Sequence, residues 1–104
     1  MARFDVYPTP INSERTHTPY WLDVQAEHLQ ALGTRVVVPL RRLLPSEPVK
    51  QRLNPEFTVG QQRVYADTAN IGAYPLALLR RPIDNLKRDR LAIDDALDFL
   101  FTGF

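Results

Sequence analysis

The sequence contains no cysteine, which excludes disulfides, thiol nucleophiles and thiolate metal sites together and suits a reducing compartment. Long apolar runs are missing too. Nothing approaches the roughly 18 apolar residues that signal a membrane span. The opening Met1-Ala2-Arg3-Phe4-Asp5 turns charged at once, unlike a signal peptide, so a cytoplasmic protein with no membrane role is expected. The four glycines, Gly33, Gly60, Gly72 and Gly103, are scattered, and no glycine-rich phosphate loop can be built from them. Neither sign of charge dominates. Thirteen basic against twelve acidic residues leave a net charge of +1, too little to imply a polyanion partner. The basic pairs Arg41-Arg42 and Arg80-Arg81 lack the interleaved aromatics of a single-strand binder.

What is present suits one domain over residues 1–104, with 44% hydrophobic and 24% charged residues in the ordinary globular range. Phe4-Asp5-Val6-Tyr7 alternates apolar and polar, the pattern of a half-buried strand, which Pro8 and Pro10 then end. The polar, proline-bounded stretch from Pro10 to Pro19 reads as an exposed, mobile loop. Tyr20 to Gln25 resumes the strand pattern, with Tyr20, Leu22 and Val24 on one face and Trp21, Asp23 and Gln25 on the other. Arg35-Val36-Val37-Val38-Pro39-Leu40 predicts a strand covered on both faces, with Pro39 at an edge, a bulge or the strand's end. Arg41 to Asn54, with Pro45 and Pro48, reads as a long connection. Phe57–Val59 and Arg63–Ala66 flank Gly60-Gln61-Gln62 as a hairpin, and Tyr74–Leu79 gives one more short strand.

From about Asn85 to Phe101 there is neither glycine nor proline, and Asp84 is a fitting N-cap, so this segment is predicted to be helical. Ile93, Ala96, Leu97 and Leu100 form its buried stripe, flanked by Ala92 and Phe99. Asp94, Asp98 and Phe101 share the opposite face. Strands followed by one helix make an α+β arrangement.

Chemistry is thinly supported. Asp94, Asp95 and Asp98 supply carboxylates, but on the outward face of a helix they read as solvated surface charge rather than a general acid/base pair. His17 and His28 are the two histidines, too few and too far apart for a well-supported metal site. Ser13 and Ser46 lack a nucleophile-elbow context. No catalytic, cofactor or metal residue is assigned, and a non-enzymatic binding protein is expected. The unusual feature is the terminus: Phe101 and Phe104 stand where chain ends are normally polar. Either Phe104 folds back as a hydrophobic cap, or the rings form an exposed anchor for a partner protein.

These segments, taken in order and spacing, resemble the CcdB toxins of bacterial toxin–antitoxin modules. The resemblance is carried by Phe4-Asp5-Val6-Tyr7, Leu22-Asp23-Val24-Gln25, Arg35 to Leu40, Arg52-Leu53-Asn54-Pro55, Thr68 to Leu78, and a terminal helix ending in Phe-x-Gly plus an apolar residue. The loop from Pro8 to Pro19 is a few residues longer than in the best-known member. The resemblance implies a mainly antiparallel, small barrel-like sheet of the CcdB/MazF type with a C-terminal α-helix. It implies a homodimer that binds the DNA gyrase A subunit and traps the enzyme on cleaved DNA. A CcdA-like antitoxin would neutralise it, and the pair would repress their operon, with the antitoxin contacting operator DNA.

By the same resemblance, gyrase would be met by His28, Leu29, Asp98, Phe101, Thr102, Gly103 and Phe104. The antitoxin would be met by Pro8, Thr9, Pro10, Arg41, Arg42, Leu43 and Leu44. Thr102 stands where the familiar member has a tryptophan that stacks on a gyrase arginine, a contact worth about 1–2 kcal/mol when desolvated. His28 replaces an apolar residue. Two alternatives stay open: a ribonuclease toxin on the same fold, with Arg35, Arg41 or Arg63 supplying charge, and a homologue that binds antitoxin without poisoning.

Overall fold

The computed structural model describes residues 2–29, 31–45 and 51–103. Its 7-stranded sheet comprises β1 (Asp5–Pro8), β2 (Tyr20–Asp23), β3 (Thr34–Arg42), β4 (Glu56–Val59), β5 (Gln62–Ala66), β6 (Gly72–Pro75) and β7 (Asp84–Asn85). The helix α1 (Arg90–Thr102) follows. Every strand pair is antiparallel, in the order β4-β5-β3-β2-β1-β7 with β6 also on β3. This is the expected α+β fold, a nearly closed barrel-like sheet carrying a C-terminal helix.

Strand β3 organises the barrel. One edge pairs with β2; the other is shared, β6 taking Thr34–Val37 and β5 taking Leu40–Arg42. Pro39 falls between those two partners, and its carbonyl accepts the Asp67 N–H at 2.9 Å. The proline therefore sits in mid-strand rather than at an edge, bulge or end. Its missing N–H points at the junction between β5 and β6, where no ladder bond is needed.

Alternation along the strands sorts the side chains into two layers. Val6, Leu22, Val38 and Leu40 join Phe57, Val64, Leu86 and Ile93 in the main core. Their neighbours Tyr7, Trp21 and Val37 face the other way and pack with Leu79. The valine run thus feeds both layers, and each fully buried aliphatic or aromatic side chain contributes about 1.5–3 kcal/mol. The β4–β5 hairpin closes from Val59 to Gln62 over Gly60-Gln61. Gly60 has φ +61° and Gln61 has negative φ, the signature of a type II′ turn that admits glycine first. Phe4 also has positive φ, +74°, where the expected strand would have begun. That backbone costs about 1–3 kcal/mol and is held by bonds on both sides: its N–H donates to Asp23 O and its carbonyl accepts from Leu86 N–H.

Other boundaries depart from expectation. Asp84 and Asn85 do not open the helix; they pair with β1, Lys87–Asp89 forms a 3-10 turn, and α1 begins at Arg90. Ladder bonds to β1 outweigh the weak local preference for helix. The strand expected over Tyr74–Leu79 ends at Pro75, and Leu76–Leu78 makes a 3-10 turn, since proline cannot donate onward. Arg41 and Arg42 belong to β3 rather than to a connection. The stretch from Pro10 to Pro19 contains a 3-10 turn, Asn12–Glu14, and is bonded to the barrel at its far end. On α1, Ile93 and Ala96 are buried and Leu97, Phe99 and Leu100 half-buried, while Ala92 is exposed.

Candidate functional site

The last turn of α1 is the first candidate. Its core-facing residues fix the helix, and what remains outward is Phe101, 71% exposed, with Asp98 and Thr102 beside it. The Thr102 hydroxyl donates to the Asp98 carbonyl at 2.6 Å, a bond back along the helix that ties down its own side chain. Gly103 ends the helix in the left-handed conformation, φ +77°, and its N–H donates to Phe99 O at 2.9 Å. The aromatic ring is therefore presented by an ordered helix end rather than a frayed one. Phe104, Ser46 and Pro48 lie outside the described residues. Leu91, 79% exposed, was missed by the stripe pattern. It lies two turns before Asp98 on the same side, a spacing visible in the sequence.

His28 and Leu29, the other two residues expected to meet the same partner, sit on a separate 3-10 turn, Glu27–Leu29. Both are exposed, and the Leu29 carbonyl accepts a hydrogen bond from the Gln25 side chain at 3.3 Å. Asp94, expected on the open helix face, is instead held by Arg3 at 2.8 Å. Arg3 also donates to Val24 O and lies 4.4 Å from the Phe4 ring centre. Asp95 pairs with Arg52 at 3.1 Å, and that guanidinium lies over the Phe99 ring at 4.6 Å. These carboxylates fasten α1 to the segments before β1 and β4 and are each taken by a different arginine.

The second candidate is the region around Pro8 and the end of β3. Arg42 N–H donates to His17 O at 2.8 Å and its Nε to Thr16 O at 2.9 Å, so the two segments expected to contact the antitoxin are adjacent. Within that set exposure differs sharply. Thr9 is fully buried, its hydroxyl donating to Thr18 O. Arg41 is engaged by Asp67 at 2.6 Å and Thr18 at 2.7 Å. Pro8, Arg42 and Leu44 remain exposed, and Pro10 and Leu43 partly so. Pro8 and Pro10 border one groove; Arg42 and Leu43 border another, of about 600 Å³, with Gly60 and Arg63.

A buried polar group lies between β1, β2 and β3. Arg35 and Asp23 pair with no exposure, Arg35 also donates to Gln25 O at 3.1 Å, and its Nη1 has no partner among the described residues. Burial pushes the Asp23 carboxyl up from its ordinary value, against the pull of its Arg35 hydrogen bonds. Burial, then the negative charge of Asp5, pushes the Tyr7 hydroxyl up to about 12. At the surface, the Arg88 hydrogen bond holds the Asp84 carboxyl below its ordinary value.

For the ribonuclease alternative this matters. Arg35, one of its three candidate cations, is sealed inside the fold, Arg41 is engaged by Asp67, and Arg63 by Glu56 and Thr58. The His17 ring hydrogen-bonds the Thr18 hydroxyl, at 3.3 Å, and among the described residues no carboxylate orients it. Among the described residues, no three His, Asp or Glu side chains gather as a metal site would require. No helix among them is long and apolar enough to cross a membrane.

Two regions thus stand out at the surface, the helix end carrying Phe101 and the adjoining segments around Pro8 and Arg42. Compared with protein families, residues 3–103 match the family described as CcdB protein. No curated protein matches the chain.

Proposed function

The chain belongs to the CcdB family of toxins from toxin–antitoxin modules, and from that premise we propose that it is a gyrase poison. In this reading residues 1–104 form one domain that acts in the cytoplasm as a homodimer. Two α1 ends, brought together near the two-fold axis, present a doubled aromatic patch to the DNA gyrase A subunit, itself a two-fold partner. The enzyme is held on cleaved DNA without chemistry by the toxin. A CcdA-like antitoxin segment, disordered until it binds, covers the Pro8–Arg42 side and releases gyrase. The two proteins together repress their operon, the antitoxin contacting DNA.

The observation that supports this best is Phe101. A large apolar side chain, 71% exposed on an ordered helix end, gains nothing for its own fold and suits a partner's pocket. His28, Leu29, Asp98, Thr102, Gly103 and Phe104 are carried as its neighbours in the gyrase contact. Deleting Thr102-Gly103-Phe104 tests the reading. Growth inhibition should vanish while the dimer and antitoxin binding persist; undiminished toxicity would count against it.

A further inference from the structure

Most arginines of the chain are neutralised within the fold: Arg3 by Asp94, Arg35 by Asp23, Arg41 by Asp67, Arg52 by Asp95, Arg63 by Glu56 and Arg88 by Asp84. Among the described residues Arg15, Arg42, Arg80, Arg81 and Arg90 have no ion pair, and three of these five, Arg15, Arg80 and Arg81, come together. All three line one open groove of about 640 Å³, together with Leu78, Ile83 and Pro10, and no carboxylate is in its lining. Arg15 Nε donates to the Thr9 carbonyl at 2.6 Å, which anchors that guanidinium at the rim. Arg80 and Arg81 make no hydrogen bond or ion pair among the described residues. Leu78 and Ile83 are 40% and 53% exposed.

Gathering like charges around one concavity without a counter-charge is unfavourable, and an anionic occupant relieves it. The apolar lining narrows the choice of anion. A sugar-phosphate backbone would leave Leu78, Ile83 and the prolines uncovered, and no aromatic ring lines the groove for a base to stack on. A peptide alternating carboxylates with apolar side chains satisfies both features, since guanidinium groups take carboxylates in two-point contacts. The volume falls within the roughly 300–1,000 Å³ of ligand sites generally.

We propose that this groove binds an extended acidic segment of the antitoxin, its carboxylates on Arg15, Arg80 and Arg81 and an apolar side chain between Leu78 and Ile83. The proposal rests on the antitoxin reading above. It moves the main anchoring charge from the Arg41-Arg42 pair to Arg15, between β1 and β2, and to Arg80 and Arg81, between β6 and β7.

The test is a fluorescence-anisotropy titration of the full chain with a labelled synthetic peptide alternating Glu or Asp with Leu. Its Gln/Asn isostere and a duplex DNA oligonucleotide of equal net charge are run in parallel. The acidic peptide should bind, more weakly as salt rises, and at least tenfold more tightly than the isostere. The double variant Arg80→Ser/Arg81→Ser should lose tenfold or more, and Ile83→Ser should weaken binding at unchanged salt dependence. Thermal unfolding checks that each variant folds. Equal affinity of the double variant, tighter binding of the DNA, or no charge-dependent peptide binding would each overturn the proposal. A gyrase supercoiling assay on the unaltered chain, run alongside, decides the toxin reading separately, so the two failures are told apart.

Discussion

Arg35 and Asp23 meet in a two-point ion pair, Nε to Oδ2 at 2.9 Å and Nη2 to Oδ1 at 2.8 Å, with neither side chain exposed. The pair joins the end of β2 to the start of β3, and Asp23 Oδ1 also accepts the Gln25 N–H at 3.0 Å. Removing one partner strands the other charge in the interior. Asp23→Ala should therefore cost about 3–5 kcal/mol, read as a lowered urea midpoint at unchanged slope. Replacing both residues, Asp23→Leu with Arg35→Met, should cost less than the single change. If the single change proves milder than the double, the pair is not what holds this corner.

Tyr7 makes alkaline stability measurable. Its hydroxyl is pushed from 10.0 to about 12, first by burial and then by the charge of Asp5. The fold therefore holds the proton more tightly than the unfolded chain does. The sign follows: the stabilisation is complete below pH 10.0 and is lost as pH rises toward 12. At about 1.4 kcal/mol per unit, the loss is on the order of 2–3 kcal/mol. Tyr7→Phe should remove that slope in denaturant titrations across the window, and tyrosinate absorbance should show one ring ionising late.

How legible was this molecule in its sequence? The layers were, because alternation at Tyr20–Gln25 and the valine run obey strand geometry directly. So was Gly60, where the turn demands positive φ. Asp84 was not: its short polar side chain fits a helix cap equally well, and only the long-range pairing with Val6 makes it a strand residue. Pro39 misled for the same reason, since its tolerance depends on two strands, β5 and β6, that meet beside it. At the helix tip, the pattern placed Phe101 outward correctly. It also placed Asp94 outward, and could not foresee that Arg3, 91 positions away, would take it. The basic pair Arg80-Arg81 suggested no site in the sequence, because Arg15 and the apolar lining join it only in three dimensions.

Gly103 sets how the helix tip is presented. At φ +77° an alanine is disfavoured by about 1 kcal/mol. Gly103→Ala should lower thermal stability only modestly, yet reduce gyrase affinity by more than that loss explains, because the final turn reorients. A parallel fall in both, of equal size, would mean that the cap matters only to folding.

Phe101 separates folding from binding. With 71% of its surface exposed, Phe101→Ala should change stability within about 0.5 kcal/mol. Its effect on gyrase should be far larger, a tenfold or greater rise in the concentration needed for inhibition, equivalent to about 1.4 kcal/mol or more. Circular dichroism melts and titrated supercoiling assays check the two halves independently.

The most direct measurement is a supercoiling and DNA-cleavage assay with purified gyrase, comparing the unaltered chain with Phe101→Ala and with the chain lacking Thr102-Gly103-Phe104. Inhibition of supercoiling together with accumulation of cleaved DNA is expected from the unaltered chain, and loss of both from the two variants. A folded, unaltered chain that neither slows supercoiling nor traps cleaved DNA, or one whose effect survives both changes, would contradict the account.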